Sequence, residues 1–266
     1  MPSPYDTLAK VREKKPLVHH ITNWVTIYDC ANVVRAFGAL PVMAHAKEEA
    51  AEMAGISSAL VLNIGTLTSE IIESMLLAGK KANSNGIPIV LDAVGAGATK
   101  FRSDEVKLLL EKLEINVLKG NAGEMASIAG IKAEVRGVES ISAGAKPEEI
   151  CTQVAKEFDC TAVITGKTDV VASEKGVYLI GNGHPMMGTV VGTGCMATSV
   201  IGAFCAVEND YAMASAHALS CYGIAGELAA SKSNGPGSFK ANFYDEIYAL
   251  DKGKIEKMAK VRFESK

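Results

Sequence analysis

Residues 59–97 read ALVLNIGTLTSEIIESMLLAGKKANSNGIPIVLDAVGAG, and this stretch decides the fold class. Ala59–Ile64 is a short apolar run bounded by Gly65, and Ile87–Asp92 is a β-branched run bounded by the Gly95–Gly97 loop. Between them Glu70–Asn83 repeats its apolar residues at helical spacing, behind Thr68 and Ser69, either of which can cap a helix. Strand, helix and strand in that order form a βαβ unit, whose strands pair parallel. Runs this apolar have no solvent face, so helices are expected to cover both sides of the sheet.

The same alternation extends outward in both directions. Further strands are expected at Leu17–Ile21, Pro41–Ala44, Ile115–Lys119 and Thr161–Thr165. Thr26–Phe37 reads as a helix ending at Gly38, and Ser103 with Asp104 and Glu105 as the capped start of a helix through Val106–Leu113. Beyond Thr165 the pattern changes to a hairpin, Asp169–Ser173 and Gly176–Ile180 around Glu174-Lys175, which adds antiparallel strands. From Thr193 onward the chain is almost wholly helical in pattern, through Gly194–Val207, Tyr211–Ala230 and Ser238–Leu250. Ile131–Ala145 is the longest candidate loop, and no internal repeat or linker divides residues 1–266. The expectation is a single α/β domain, with a mostly parallel central sheet, a few antiparallel strands, and helices on both faces.

Apolar residues make up 48% of the 266 residues and charged residues 21%, an ordinary globular balance. The net charge of −3 and the absence of Lys/Arg clusters argue against a nucleic-acid partner. The N-terminal segment lacks the charged and apolar regions of a secretory signal. No uninterrupted apolar run is long enough to span a membrane, since Tyr211–Ala230 carries His217 and Glu227. The six cysteines show no C-x-x-C spacing, which reads as reduced thiols in a cytoplasm.

Ligands of open α/β sheets gather at the carboxyl ends of the parallel strands. Here those ends supply Asn23, Met43 with His45, Gly65-Thr66, Asp92, Lys119 through Glu124, and Thr165-Gly166-Lys167. The sharpest local motif is Val191-Gly192-Thr193-Gly194-Cys195, directly ahead of a helical pattern. Glycines bring backbone N–H groups close to a ligand, and a helix N-terminus adds unpaired donors and a positive dipole end, so this segment can cradle an anion. The same residues also suit a glycine-rich entry into a packed helix. They make neither a P-loop, which needs G-x-x-x-x-G-K-[ST], nor a dinucleotide fingerprint.

Asn121-Ala122-Gly123-Glu124 has the spacing of a helix-capping box. Asp92 closes an apolar strand, where an acid is costly unless solvated or paired. It either shapes the Gly95–Gly97 loop as an Asx turn or serves a cation. Lys119 reads as a solvated lysine at a strand end, and Thr165 as a β-branched strand terminus.

Gly192-Thr193-Gly194-Cys195 together with Asn121-x-x-Glu124 resembles the G-[TA]-G-D anion hole and N-x-x-E motif of ribokinase-like kinases. His20-Ile21-Thr22-Asn23, Pro41-Val42-Met43-Ala44, Leu91-Asp92-Ala93-Val94-Gly95-Ala96, and Cys195 in place of the aspartate resemble the hydroxyethylthiazole kinase family within it. The resemblance covers roughly residues 15–245. It implies transfer of the ATP γ-phosphoryl group to the primary alcohol of 4-methyl-5-(2-hydroxyethyl)thiazole in thiamine salvage, with Mg²⁺ as cofactor. By the same resemblance Asp92 and Glu124 serve the metal, and Lys119, Asn121 and Thr165 serve ATP. Gly192, Thr193, Gly194 and Cys195 are then catalytic, while Asn23, Met43, Gly65 and Gly192 hold the alcohol. The family implies a homotrimer with sites between subunits.

Other readings of the same residues stand beside this one. They are a kinase for another small alcohol such as hydroxymethylpyrimidine, a nucleotide-dependent repair dehydratase, and a nucleotide-binding sensor without turnover. Cys195 on a turn-to-helix elbow also fits a thiol nucleophile. That reading leaves Asp92 and Asn121-x-x-Glu124 without a role, and nothing binds His184, His217, His19 or His20 into a triad with it. Cys30, Cys205 and Cys221 fall on apolar helical faces and read as core.

Overall fold

The computed structural model describes residues 2–131 and 146–265. In chain order the elements begin α1 (Pro4–Lys14), β1 (Leu17–Ile21), α2 (Ile27–Phe37), β2 (Leu40–Val42), α3 (Lys47–Ile56), β3 (Ala59–Asn63) and α4 (Ser69–Ser84). They continue β4 (Ile89–Asp92), α5 (Lys100–Lys112), β5 (Val117–Asn121), α6 (Ala122–Ile128), α7 (Pro147–Glu157), β6 (Thr161–Thr165), β7 (Asp169–Ser173) and β8 (Gly176–Ile180). After a 3-10 turn at Pro185–Thr189 follow α8 (Thr193–Cys205), α9 (Tyr211–Ala230), α10 (Pro236–Tyr248), α11 (Lys252–Met258) and β9 (Val261–Ser265). The loop expected over Ile131–Ala145 lies, beyond Ile131, outside the described residues.

The described strands form one sheet in the order β2-β1-β3-β4-β5-β6-β7-β8-β9. The six from β2 to β6 are parallel, and β7, β8 and β9 join antiparallel. Alternate side chains feed two cores. Val61, Val90, Val117 and Val163 face the layer holding α1, α2, α8, α9 and α10. Leu60, Leu62, Leu91, Leu118 and Ile164 face the layer holding α3 to α7. Burial on both faces explains why these strands read as continuous apolar runs.

Several expected boundaries shift for identifiable reasons. Met43 and Ala44 leave β2, because the Ala44 carbonyl is taken at 2.8 Å by the His19 ring and not by the ladder. Strand β5 starts and ends two residues later than expected, since Gly120 and Asn121 continue the ladder opposite Ile164 and Thr165. Ser103 does not cap its helix. Thr99 does, accepting from Arg102 N at 3.2 Å, and Ser103 sits in the first turn, donating to the Thr99 carbonyl and accepting from Gly97 N. Thr68 caps α4, and Gly38 ends α2 at φ +100°, both as expected.

The terminal segments add elements the motifs did not announce. Ser3 caps α1 in a reciprocal box with Asp6. Strand β9 pairs with β8 at the sheet margin opposite β2, so Val261–Ser265 completes the sheet.

Candidate functional site

Parallel register brings the strand-end residues level with one another: Asn63 lies opposite Asp92, Asp92 opposite Lys119, and Asn121 opposite Thr165. Asp92 is fully buried at the end of β4. Its Oδ1 lies 3.2 Å from Lys119 Nζ, and its Oδ2 accepts from Asn63 Nδ2 at 2.9 Å and from Thr198 Oγ1 at 2.7 Å. A buried acid is tolerated when charge and hydrogen bonds compensate it, and here both do. Lys119 is therefore not the solvated strand-end lysine that the sequence allows. It is 4% exposed, and its ammonium donates onward to the Gly194 carbonyl at 3.2 Å. Burial weighs against that charge, but Asp92 and then Glu124 outweigh it and hold the ammonium above the ordinary lysine range.

The Asn121–Glu124 pair is a complete capping box. Glu124 N donates to Asn121 Oδ1 at 2.9 Å, and Asn121 N donates to Glu124 Oε2 at 2.7 Å. The other carboxylate oxygen accepts from Gly95 N at 2.7 Å, which joins the β4–α5 loop to the start of α6. Burial, then the nearby Asp92 charge, pushes the Glu124 carboxyl above the usual carboxylate range. A carboxylate at the end of β4 and another in the first turn of α6, the second raised in part by the first, suit a hard divalent cation. Mg²⁺ needs few protein carboxylates and takes its remaining ligands from water and phosphates. Among the described residues no group of three or more His, Cys, Asp or Glu could enclose a metal by itself.

The glycine-rich segment enters α8 over the same edge. Gly192 has φ +93°, and a Cβ there would lie 2.5 Å from Thr26 Cγ2, so both backbone and packing exclude a side chain. No side chain caps α8. The first N–H groups of the helix therefore face outward without intrahelical acceptors, as an anion requires. Tyr222, buried in α9, donates to the Thr193 carbonyl at 2.8 Å and fixes this turn from behind.

Cys195, half-buried, accepts from Asn23 Nδ2 at 3.3 Å. A Cβ on Gly65 would touch Asn23 at 2.9 Å, so Asn23, Gly65 and Cys195 share one corner. Met43 stands apart from that contact set. Its carbonyl meets the His45 ring, which packs on Trp24 with centroids 4.8 Å apart. Thr165 closes β6 in register with Asn121. Next to it Asp169 accepts from Gly166 N at 2.9 Å, and burial pushes its carboxyl up to about 7. Cys30, Cys205 and Cys221 are buried.

Four supporting residues escaped the motif search. Thr198 and Asn63 hold Asp92, and Tyr222 holds Thr193. Arg102 donates to the carbonyls of Ile64, Val94 and Gly65 at 2.6–2.8 Å, clamping the loops after β3 and β4 together. The available signals were slight: a hydroxyl one turn after Gly194, and polar residues closing otherwise apolar strands.

The chain matches the Hydroxyethylthiazole kinase family over residues 8–253. A hydroxyethylthiazole kinase of Methanosarcina mazei is 57% identical over 254 residues, covering 96% of this chain and 97% of that one. The solved structure of a hydroxyethylthiazole kinase protein from Pyrococcus horikoshii superposes with a TM-score of 0.91 at 41% identity, covering 98% and 99% of the two chains. A ribokinase-like superfamily protein from Enterococcus faecalis superposes with a TM-score of 0.62 at 12% identity over 91% of this chain and 88% of that one, which places the fold as ribokinase-like.

Proposed function

The chain belongs to the hydroxyethylthiazole kinase family and phosphorylates hydroxyethylthiazole, and from that premise we propose how its strand-end residues perform the transfer. The alcohol oxygen forms a bond to the γ-phosphorus of ATP, the bond from that phosphorus to the β-bridging oxygen breaks, and ADP leaves. The observation that carries this reading is the convergence of Asp92, Lys119 and the Gly194 carbonyl beneath the uncapped start of α8, with Cys195 beside it.

In this arrangement the amides of Gly192–Cys195 face the oxygens of the transferring group, where charge builds in the transition state. Cys195 Sγ stands at the alcohol and takes up its proton, with the Asn23 amide donating to the sulfur. Asn23, Met43 and the Gly65 backbone orient the thiazole. Lys119, Asn121 and Thr165 face the ATP phosphates. Asp92 and Glu124 hold Mg²⁺, which when bound offsets phosphate charge. We assign residues 1–266 to one domain, which acts in a reducing cytoplasm where all six cysteines stay free.

We also assign a homotrimer with the site between subunits. Its support is an apolar rim beside the cradle, where Trp24 (53% exposed), Val25 (66%), Tyr28 (76%) and Val191 (72%) gather around the Thr26–Gly192 contact.

The test is ADP release with hydroxyethylthiazole in Mg²⁺, after chelation, and after Mg²⁺ is restored, for the native chain and Asp92→Ala. Turnover that vanishes on chelation, returns with Mg²⁺ and falls about tenfold or more in Asp92→Ala supports the assignment. Equal rates in the two proteins would remove Asp92 from the metal site.

A further inference from the structure

Asn63 ends β3, 3% exposed, and makes hydrogen bonds in three directions. Its Oδ1 accepts from Gly65 N at 2.9 Å and from Asn23 Nδ2 at 3.0 Å, and its Nδ2 donates to Asp92 Oδ2 at 2.9 Å. The orientation of this amide is not free. Gly65 N is a backbone donor and cannot accept, so the oxygen must face it and the NH₂ must face Asp92.

The same logic fixes Asn23, 4% exposed, whose Oδ1 accepts from Thr26 N at 3.1 Å. Its NH₂ therefore turns to Asn63 and to Cys195, and the sulfur is the acceptor in that last bond. A continuous series of amide bonds thus joins the sulfur at the alcohol end to the carboxylate at the phosphate end: Asn23 donates both to the sulfur and to Asn63, Asn63 donates on to Asp92, and each amide is oriented by a backbone N–H.

We propose that Asn63 is a positioning residue for the phosphoryl transfer: its single amide sets the Gly65 loop and, through Asn23, the Cys195 sulfur against the Asp92 carboxylate. The proposal rests on the reading that places the alcohol at Gly65 and Cys195. One side chain then carries both the seat of the alcohol and the acceptor character of the sulfur. Because Asn63 seats the amide that donates to the sulfur, its removal loosens Asn23 and changes the contact at Cys195.

Two variants separate the parts of the role. Asn63→Ala removes all three bonds. Asn63→Ser keeps a short side-chain oxygen that can accept from Gly65 N, as serine does in local turns, but cannot also span to Asn23 and Asp92. Both are expected to lower kcat by about tenfold, whereas only Asn63→Ala also raises KM for the alcohol.

The readout that a loosened fold does not mimic is iodoacetamide labelling at pH 7, followed peptide by peptide and without substrate. In both variants Cys195 alone labels about two- to threefold faster than in the native chain, because the Asn23 amide that covers the sulfur loses its seat on Asn63. Cys30 and Cys205, whose thiols burial pushes up to about 11 and about 12, stay unlabelled. Faster labelling at Cys195 together with Cys30 and Cys205 would show Asn63 to be structural only and overturn the proposal, as would unchanged labelling in both variants. Failure of the native chain to make thiazole phosphate would instead strike the underlying reading, and the labelling comparison, which needs no substrate, would still decide the sulfur–amide link.

Discussion

Replacing Lys119 by methionine removes the ammonium but keeps most of the apolar stem, so the loss isolates the charge pair with Asp92. The pair is dry, the two side chains being 5% and 0% exposed, so the small values typical of surface pairs do not apply. Removing one partner of a buried pair costs about 3–5 kcal/mol, because the other charge is left uncompensated. Asn63 and Thr198 still donate to Asp92 Oδ2, which places the loss near the lower end, about 3–4 kcal/mol. For a chain of this size each kcal/mol lowers Tm by about 2–4 °C, so Lys119→Met should melt about 6–16 °C below the native protein.

The assay is thermal unfolding by circular dichroism at pH 7.5, without nucleotide and at one protein concentration. Pairing the change with Asp92→Asn is the sharper step. The double variant has no orphaned charge, so its loss should fall short of the summed single losses by about 1–3 kcal/mol. A Lys119→Met melting point within about 2 °C of native, or a strictly additive double variant, would refute the buried-pair argument.

Three further outcomes follow from the same geometry. Gly192→Ala combines a left-handed backbone with a contact to Thr26, so it should cost about 1–3 kcal/mol in a urea titration and lower kcat at least tenfold. Cys195→Asp should remain a competent kinase, since the Asn23 amide donates equally well to a carboxylate; a thiol nucleophile would lose its reaction, and product formation distinguishes the two. Acid stability should respond with opposite signs at two sites. Burial lowers His217 to about 4, so its stabilising effect is present above pH 6.5 and is lost as pH falls. His217→Gln therefore flattens the decline between pH 6 and 4.5 by about 1.4 kcal/mol per pH unit. Burial raises Asp169 to about 7, so it binds its proton more tightly when folded and its contribution is lost as pH rises; Asp169→Asn steepens the same decline by a similar amount. Urea unfolding across that range measures both slopes.

The parallel half of the fold was legible because its strands are apolar on both sides and their helices carry local punctuation. Thr68, Gly38 and the Asn121–Glu124 box act within a few residues of themselves, so their roles survive in the linear chain. Ser103 misled because Thr99 offers the same hydroxyl one turn earlier, and only the start of the helix decides between them. Helix α1 carried a readable signal in Ser3-Pro4 with Asp6, whereas β9 is a short edge strand defined by its partner β8.

At the site, glycines and strand-end acids could be named from the sequence, but what Asp92 touches could not. Lys119, Asn63 and Thr198 meet it from β5, β3 and α8. Such juxtapositions come from sheet register and helix packing. The local pattern of a lone Thr or Asn does not contain them.

The central claim is that this strand edge phosphorylates the thiazole alcohol, and its most direct test is mass-spectrometric product analysis. The native chain is supplied with ATP, Mg²⁺ and a mixture of hydroxyethylthiazole, hydroxymethylpyrimidine, pyridoxal and ribose. The account predicts hydroxyethylthiazole phosphate as the dominant product, formed with equimolar ADP. A different phosphorylated member of the mixture, or ADP without any phosphorylated alcohol, would contradict it.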